Sequence, residues 1–266
     1  MEKRERNLEL VDKYLSGSTI SALVNEYNLH RSTLQKILLR YNVKLHKNKS
    51  LINCDKKFFN SYTKESCYWA GFILADGNLR VNRNSLQIKL GKIDKEHLYN
   101  FLKIINCDNF SLIKEYEKYV SLTISLDDFK NDLIENFGVT PRKTYTCKLS
   151  DKIPKEMLPH FIRGYFDGDG SITKTTILSI NFVGTSILMD NLRSFFKKEL
   201  KISLKSKNET PPIQKVNGND KIGMISYSGK NAIKIMEYFY NDITDNIFLS
   251  RKLNKYKKLK YEYELR

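Results

Sequence analysis

The stretch WAGFILADG, Trp69 to Gly77, is echoed by IRGYFDGDG, Ile162 to Gly170, and this echo constrains the fold more than any other feature of the chain. Both stretches carry bulky apolar and small residues up to an aspartate followed by glycine. Asp76 and Asp169 lie 93 positions apart, while Ser85 and Ser179, like Leu98 and Leu192, lie 94 apart. A register kept within one residue over that distance indicates two similar half-domains rather than two unrelated α+β units. The surrounding pattern repeats in the same order. In the first copy a helix ends at Asp76-Gly77, strand alternation follows (Leu79, Val81, then Leu86, Ile88, Leu90), a helix covers Asp94 to Ile105, two strands run through Ile124, and a helix runs through Phe137. In the second copy the helix ends at Asp169-Gly170. Strands pass through Ile172 and then Leu178, Ile180 and Phe182, a helix covers Ile187 to Leu200, strands reach Tyr227, and a helix covers Lys230 to Tyr240. The expected fold class is α+β, with a first half over 63–152 and a second over 153–266.

Each nine-residue stretch matches the motif that names the LAGLIDADG homing endonucleases, and over residues 55 to 258 the chain resembles that family. The resemblance implies a duplicated fold of two pseudo-symmetric halves, each with an antiparallel DNA-binding sheet. The motif also makes physical sense as a shared site. Gly71 and Ala75 are four apart on one helix, and Gly164 and Gly168 are four apart on the other, so each helix has a stripe free of bulk along which the two can approach. Their C-terminal ends then bring Asp76 and Asp169 together. Two ionised carboxylates at close range repel unless cations sit between them. An oxygen-only donor set favours Mg²⁺ over zinc, and such a metal pair can position water on a phosphorus and stabilise the leaving oxygen.

The resemblance assigns metal binding to Asp76 and Asp169, with backbone carbonyls of Ala75 and Gly168 as further oxygens. Asp167 has Leu74 as its counterpart and reads as structural. Two Arg-Lys pairs, Arg142-Lys143 and Arg251-Lys252, follow the last helix of each half. By resemblance Lys143 and Lys252 stand near the scissile phosphate as catalytic cations, although solvated surface lysines would look the same. The implied activity is site-specific, Mg²⁺-dependent double-strand DNA cleavage leaving 3′ overhangs, performed by a monomer on a long asymmetric target, as in intron homing by a mobile element. The alternative on the same fold is a non-cleaving DNA-binding regulator or an intron maturase.

Strand alternation places Arg80, Asn82, Ser85, Gln87 and Lys89 on one exposed row, with Leu86, Ile88 and Leu90 inward. Thr173, Thr175, Ser179 and Asn181 are the counterparts in the second half. Long polar side chains on a two-stranded ribbon can read major-groove edges. The second row is less basic and richer in hydroxyls, which predicts an asymmetric site.

Ahead of the duplication, residues 1–45 show apolar residues at helical spacing on both sides of Asn28, which predicts a small all-α helix-turn-helix. Ser18 or Thr19 can cap the first helix of the pair, and Arg31, Ser32, Gln35 and Lys36 line the outer face of the second. A helical bundle with a solvated polar face fits the same pattern. Residues 46–62 read as a basic linker bearing Lys47, Lys49, Lys56 and Lys57, suited to phosphate tracking or to a plain tether. The C-terminal run from Arg251 to Tyr261 is dense in lysine and reads as added phosphate contact or a solvated helix face.

The formal net charge of +16 asks for a polyanionic partner, and double-stranded DNA satisfies it. Cys54, Cys67, Cys107 and Cys147 are too scattered for a zinc site and suit a reducing compartment. Neither a signal-peptide core nor an apolar membrane span is visible, so the expectation is a cytoplasmic protein of a bacterial or phage-infected cell, or of an organelle. The ends, Met-Glu and Leu-Arg, lack the residues of intein splicing.

Overall fold

The computed structural model describes residues 3–43, 45, 53–174, 177–202, 213–216, 219–241, 243 and 247–265. The chain divides into two compact units, Met1–Ile52 and Asn53–Arg266.

In the first unit, α1 (Lys3–Leu15), α2 (Ile20–Glu26) and α3 (Arg31–Arg40) enclose a core of Leu10, Tyr14, Leu23, Leu34 and Leu38. Thr19 caps α2 by accepting from the Ala22 N–H at 3.1 Å. Asn28 takes the left-handed conformation, φ 47°, between α2 and α3, as its local hydrogen-bonding side chain tolerates. The α3 cap is His30, whose ring nitrogen faces the Ser32 hydroxyl at 2.8 Å. Arg31, Ser32 and Lys36 are exposed and Gln35 is half-buried.

The second unit begins inside the stretch expected to be linker. Asp55 donates its N–H to the Ile105 carbonyl at 2.8 Å, and Phe58 and Phe59 pack edge-on against each other in the core. An aromatic pair of this size anchors the chain, so a tether ending at residue 62 does not describe it. Lys47 and Lys49 lie outside the described residues.

The first half then runs α4 (Lys64–Asp76), β1 (Gly77–Leu79), β2 (Leu86–Gly91), α5 (Lys95–Ile104), β3 (Ile113–Glu115), β4 (Tyr119–Ile124) and α6 (Asp127–Glu135). The second runs α7 (Leu158–Asp169), β5 (Ser171–Lys174), β6 (Leu178–Thr185), α8 (Ser186–Leu200), β7 (Gln214–Val216), β8 (Asn219–Ser228), α9 (Gly229–Tyr240) and α10 (Ser250–Glu264). The sheets are antiparallel with orders β1-β2-β4-β3 and β5-β6-β8-β7, the same topology twice. The basic C-terminal run is therefore a helix. It buries Leu253, Tyr256 and Leu259 and exposes Lys255, Lys257 and Lys258.

A capping box starts α4: Thr63 accepts from the Ser66 N–H while the Ser66 hydroxyl accepts from the Thr63 N–H. Ser66 through Leu74 are all buried, because α4 and α7 form the central seam between two aromatic cores. Among the described residues, no helix is long and apolar enough to cross a membrane.

Candidate active site at the helix seam

The seam is as tight as two helices allow. A Cβ on Gly71 would collide with the Phe161 carbonyl of α7, and one on Gly164 would collide with the Tyr68 carbonyl of α4. Backbone meets backbone at both positions, so the small-residue stripes fix how closely the helices cross. Toward the C-terminal ends, Gly168 faces Ala75, and the position a Gly168 Cβ would take lies 3.4 Å from Asp76 Oδ2.

Asp76 and Asp169 end their helices and are exposed to solvent, with protein mass gathered around each carboxyl. The Asp76 carboxyl is raised to about 6, first by burial and then by the charge of Asp169, with Lys252, Lys143 and Arg251 opposing. Asp169 is raised as well by burial, against the pull of Lys143 and Lys252. The two acids and two lysines thus share one electrostatic neighbourhood.

The lysines are held differently. Lys143 Nζ donates to the Ala75 carbonyl at 2.7 Å and makes no other hydrogen bond among the described residues. Lys252 Nζ donates to the carbonyls of Phe166 (2.7 Å), Gly168 (3.1 Å) and Gly170 (2.6 Å), which spends all three ammonium donors. Burial pushes Lys143 down, and pushes Lys252 down to about 8. Arg251 reaches Asp94 of the first half at 2.8 Å. A cavity of about 210 Å³ on one flank of the seam is lined by Lys143, Asp169, Tyr165, Val183 and Ile222, among others.

Behind the site, Asp167 is fully buried and accepts from the Tyr68 hydroxyl (2.8 Å), the Tyr240 hydroxyl and the Leu249 N–H (2.7 Å). Tyr68 also meets His97 Nε2 at 2.9 Å, and burial pushes that imidazole down to about 3. Asp167 ties α7 to α4, α9 and the approach to α10, which is a framework role. Sequence reasoning did not identify its partners, because nothing in local spacing brings Tyr68, Tyr240 and Leu249 together.

Register sets the outer faces of the sheets. In the first half, Asn78 opposes Gln87 and Gln87 opposes Thr123, while Lys89 opposes Ser121 and Ser121 opposes Lys114. Lys89 and Asn82 are exposed, and Arg80 and Gln87 are half-buried. Leu86, Ile88 and Leu90 point into the core. Ser85 corrects the expected row: it precedes β2, is 3% exposed, and its hydroxyl has no hydrogen-bond partner among the described residues. The turn between β1 and β2 folds over it as its carbonyl accepts from the Arg80 N–H. In the second half, Ser171 opposes Asn181, Thr173 opposes Ser179, and Ser179 opposes Ser228. Thr175 lies outside the described residues. Asn78, Lys114, Ser171, Ser226 and Ser228 were missed on these faces; running the two-residue period back from Arg80 and from Thr173 would have found Asn78 and Ser171.

Among the described residues, no group of three or more His, Cys, Asp or Glu could hold a metal ion. What the seam offers instead is a pair of carboxylates and a set of helix-end carbonyls, all oxygen. Each carbonyl expected to serve, Ala75 and Gly168, already faces an ammonium, so both point toward positive charge.

No protein-family model matches the chain, and no curated protein matches it. Solved structures do. The LAGLIDADG homing endonuclease I-GzeII in complex with its DNA target aligns with a TM-score of 0.50 and 15% identity, over 77% of this chain and 91% of its own. The LAGLIDADG meganuclease I-AabMI bound to uncleaved DNA aligns at 0.49 and 10%, over 76% and 91%, and I-LtrWI bound to target DNA at 0.46 and 11%, over 79% and 91%. With two motif helices abutting, two sheets of one topology and I-GzeII superposing along most of its length, the chain has the duplicated LAGLIDADG homing endonuclease fold.

Proposed function

We propose that the protein is a site-specific DNA endonuclease that cuts both strands of a long asymmetric target as a monomer, using Mg²⁺ held by Asp76 and Asp169. The observation that supports this reading is the abutting of two helix ends, each closed by an aspartate, with Asp76 Oδ2 3.4 Å from where a Gly168 Cβ would stand, next to Asp169 in sequence. Mutual repulsion and partial burial make the pair costly as bare anions, and divalent cations relieve that cost. The donor set is all oxygen, with Ala75 and Gly168 carbonyls beside the acids, which suits Mg²⁺. When bound, the cations would supply Lewis acidity and an activated water for phosphodiester hydrolysis.

The chain's own residues would do the rest. Asp76 and Asp169 fix where the cations sit relative to the seam. Lys143 has two ammonium donors that no described residue takes up, and these can hold a non-bridging phosphate oxygen as negative charge builds. Lys252 fixes the end of α7 and keeps positive charge beside Asp169 without leaving its carbonyls. Asn78, Arg80, Asn82, Gln87 and Lys89, with Thr173, Ser179 and Asn181 in the second half, would face the major groove. Arg31, Ser32, Gln35 and Lys36 on α3 would lengthen the contact.

Cleavage of randomised duplex DNA by the full chain tests the reading. Double-strand breaks at one asymmetric sequence, present with Mg²⁺ and absent with a chelator, are expected; selective binding without cleavage at any Mg²⁺ concentration would favour the regulator. Removing residues 1–45 is expected to weaken binding and shorten the footprint, and an unchanged footprint would make that unit a passenger.

A further inference from the structure

The outer face of the second sheet differs in kind from that of the first. By register, none of its described strand residues on that face is Lys or Arg, whereas the first face carries Lys89, Lys114 and the half-buried Arg80. The polar groups it does carry partly satisfy one another: Ser179 and Ser228 hydroxyls meet at 2.8 Å, and the Asn181 amide donates to the Ser171 hydroxyl at 3.1 Å. Next to them stands an apolar step. Val183 opposes Met224 across β6 and β8, and Ile222 follows two residues earlier on β8; all three are half-buried. Val183 and Ile222 line the same cavity as Asp169 and Lys143, which places the apolar step at the end of the sheet nearest the acids.

Of the four bases, only thymine offers an apolar group, its 5-methyl, in the major groove, and an aliphatic side chain has nothing else there to read. A face that is short of cations and holds aliphatic side chains beside self-satisfied hydroxyls discriminates by methyl contact rather than by hydrogen bonds to guanine. Resting on the endonuclease reading, we infer that the second half reads its half-site through thymine methyl groups against Val183, Met224 and Ile222, and so requires A·T pairs close to the cut. The first half, where the Gln87 amide donates to the Ser121 and Thr123 hydroxyls at 3.3 and 3.4 Å, reads purine edges by hydrogen bonding through Lys89 and Arg80.

The test starts from the duplex that the full chain selects out of a randomised DNA pool. The selected duplex is resynthesised with deoxyuridine for thymidine in one half-site at a time, which removes methyls and leaves every hydrogen-bonding group unchanged. The half-site read by the first sheet is assigned as the one whose base preferences relax in Lys89→Ala. Deoxyuridine in the other half-site is expected to weaken binding about fourfold per contacted methyl, the factor that ~0.8 kcal/mol represents. In the first half-site it should change little. Met224→Asn is expected to lose thymine-over-uracil discrimination at the positions it touches. Equal losses in both half-sites, or a loss only in the first, with cleavage intact, would overturn the inference and leave the endonuclease reading standing. Failure to select any sequence would overturn both.

Discussion

The two halves of the seam are nearly the same object, while the surfaces they carry are not. Gly71 and Gly164 play one role on opposite helices, each letting the other's backbone in, and Asp76 and Asp169 end those helices alike. Beyond the seam the halves part. Lys143 holds one carbonyl and Lys252 holds three, and one sheet face carries lysines where the other carries valine, methionine and hydroxyls. Duplication has preserved what both copies must share to meet, and left free what each shows to its own stretch of ligand.

The shared part breaks most severely. Gly71→Val and Gly164→Val both drive side-chain atoms into a backbone carbonyl of the facing helix, and each is expected to cost about 4 kcal/mol or more. Chemical denaturation of the two variants checks this; a cost at one position only would mean the seam is less symmetric than described.

Next in size is the lysine pair, whose two members are expected to be unequal. Lys252→Met strips three helix-end carbonyls of their donor and removes a buried cation beside Asp167, for about 3 kcal/mol of stability. Lys143→Met should cost under about 1 kcal/mol while lowering the cleavage rate by about a hundredfold. Stability and single-turnover cleavage measured on both variants separate anchor from phosphate ligand. Two variants with equal stability loss would erase the distinction.

The smallest effect is electrostatic. In the fold the Asp76 carboxyl sits at about 6 against an ordinary 3.8, so without divalent cation the folded state binds that proton more tightly than the unfolded chain does. Stability from this group is therefore gained as pH falls through about 6, is fully present only below about 3.8, and is lost as pH rises back through 6. Asp169→Asn should lower the Asp76 value in an NMR titration, yet leave it above the ordinary one because burial is the larger cause. No movement would show that the two carboxylates do not sense each other.

What the sequence disclosed follows the same division. The glycine stripes, the aspartates ahead of Gly77 and Gly170, and the inward row Leu86, Ile88, Leu90 all rest on local periodicity, and each stands where spacing placed it. Asn28 in its left-handed turn was legible for the same reason. The anchoring of Lys252 by three carbonyls was not, since it depends on α10 folding back across the end of α7, and a lysine-rich run looks equally like a solvated tail. Nor was the burial of Ser85, which the turn before β2 decides rather than strand parity. The network around Asp167 joins residues up to 99 positions apart, and only the assembled seam brings them together.

The central claim is that two carboxylates at one seam act together on both strands. Its most direct test compares the native chain with Asp76→Asn and Asp169→Asn on a plasmid carrying the selected target, with Mg²⁺ present and DNA binding measured in parallel. Each variant is expected to bind the target and make no double-strand break, with the rate down by about a thousandfold or more. A variant that binds and still severs both strands at a rate near the native one would contradict the account.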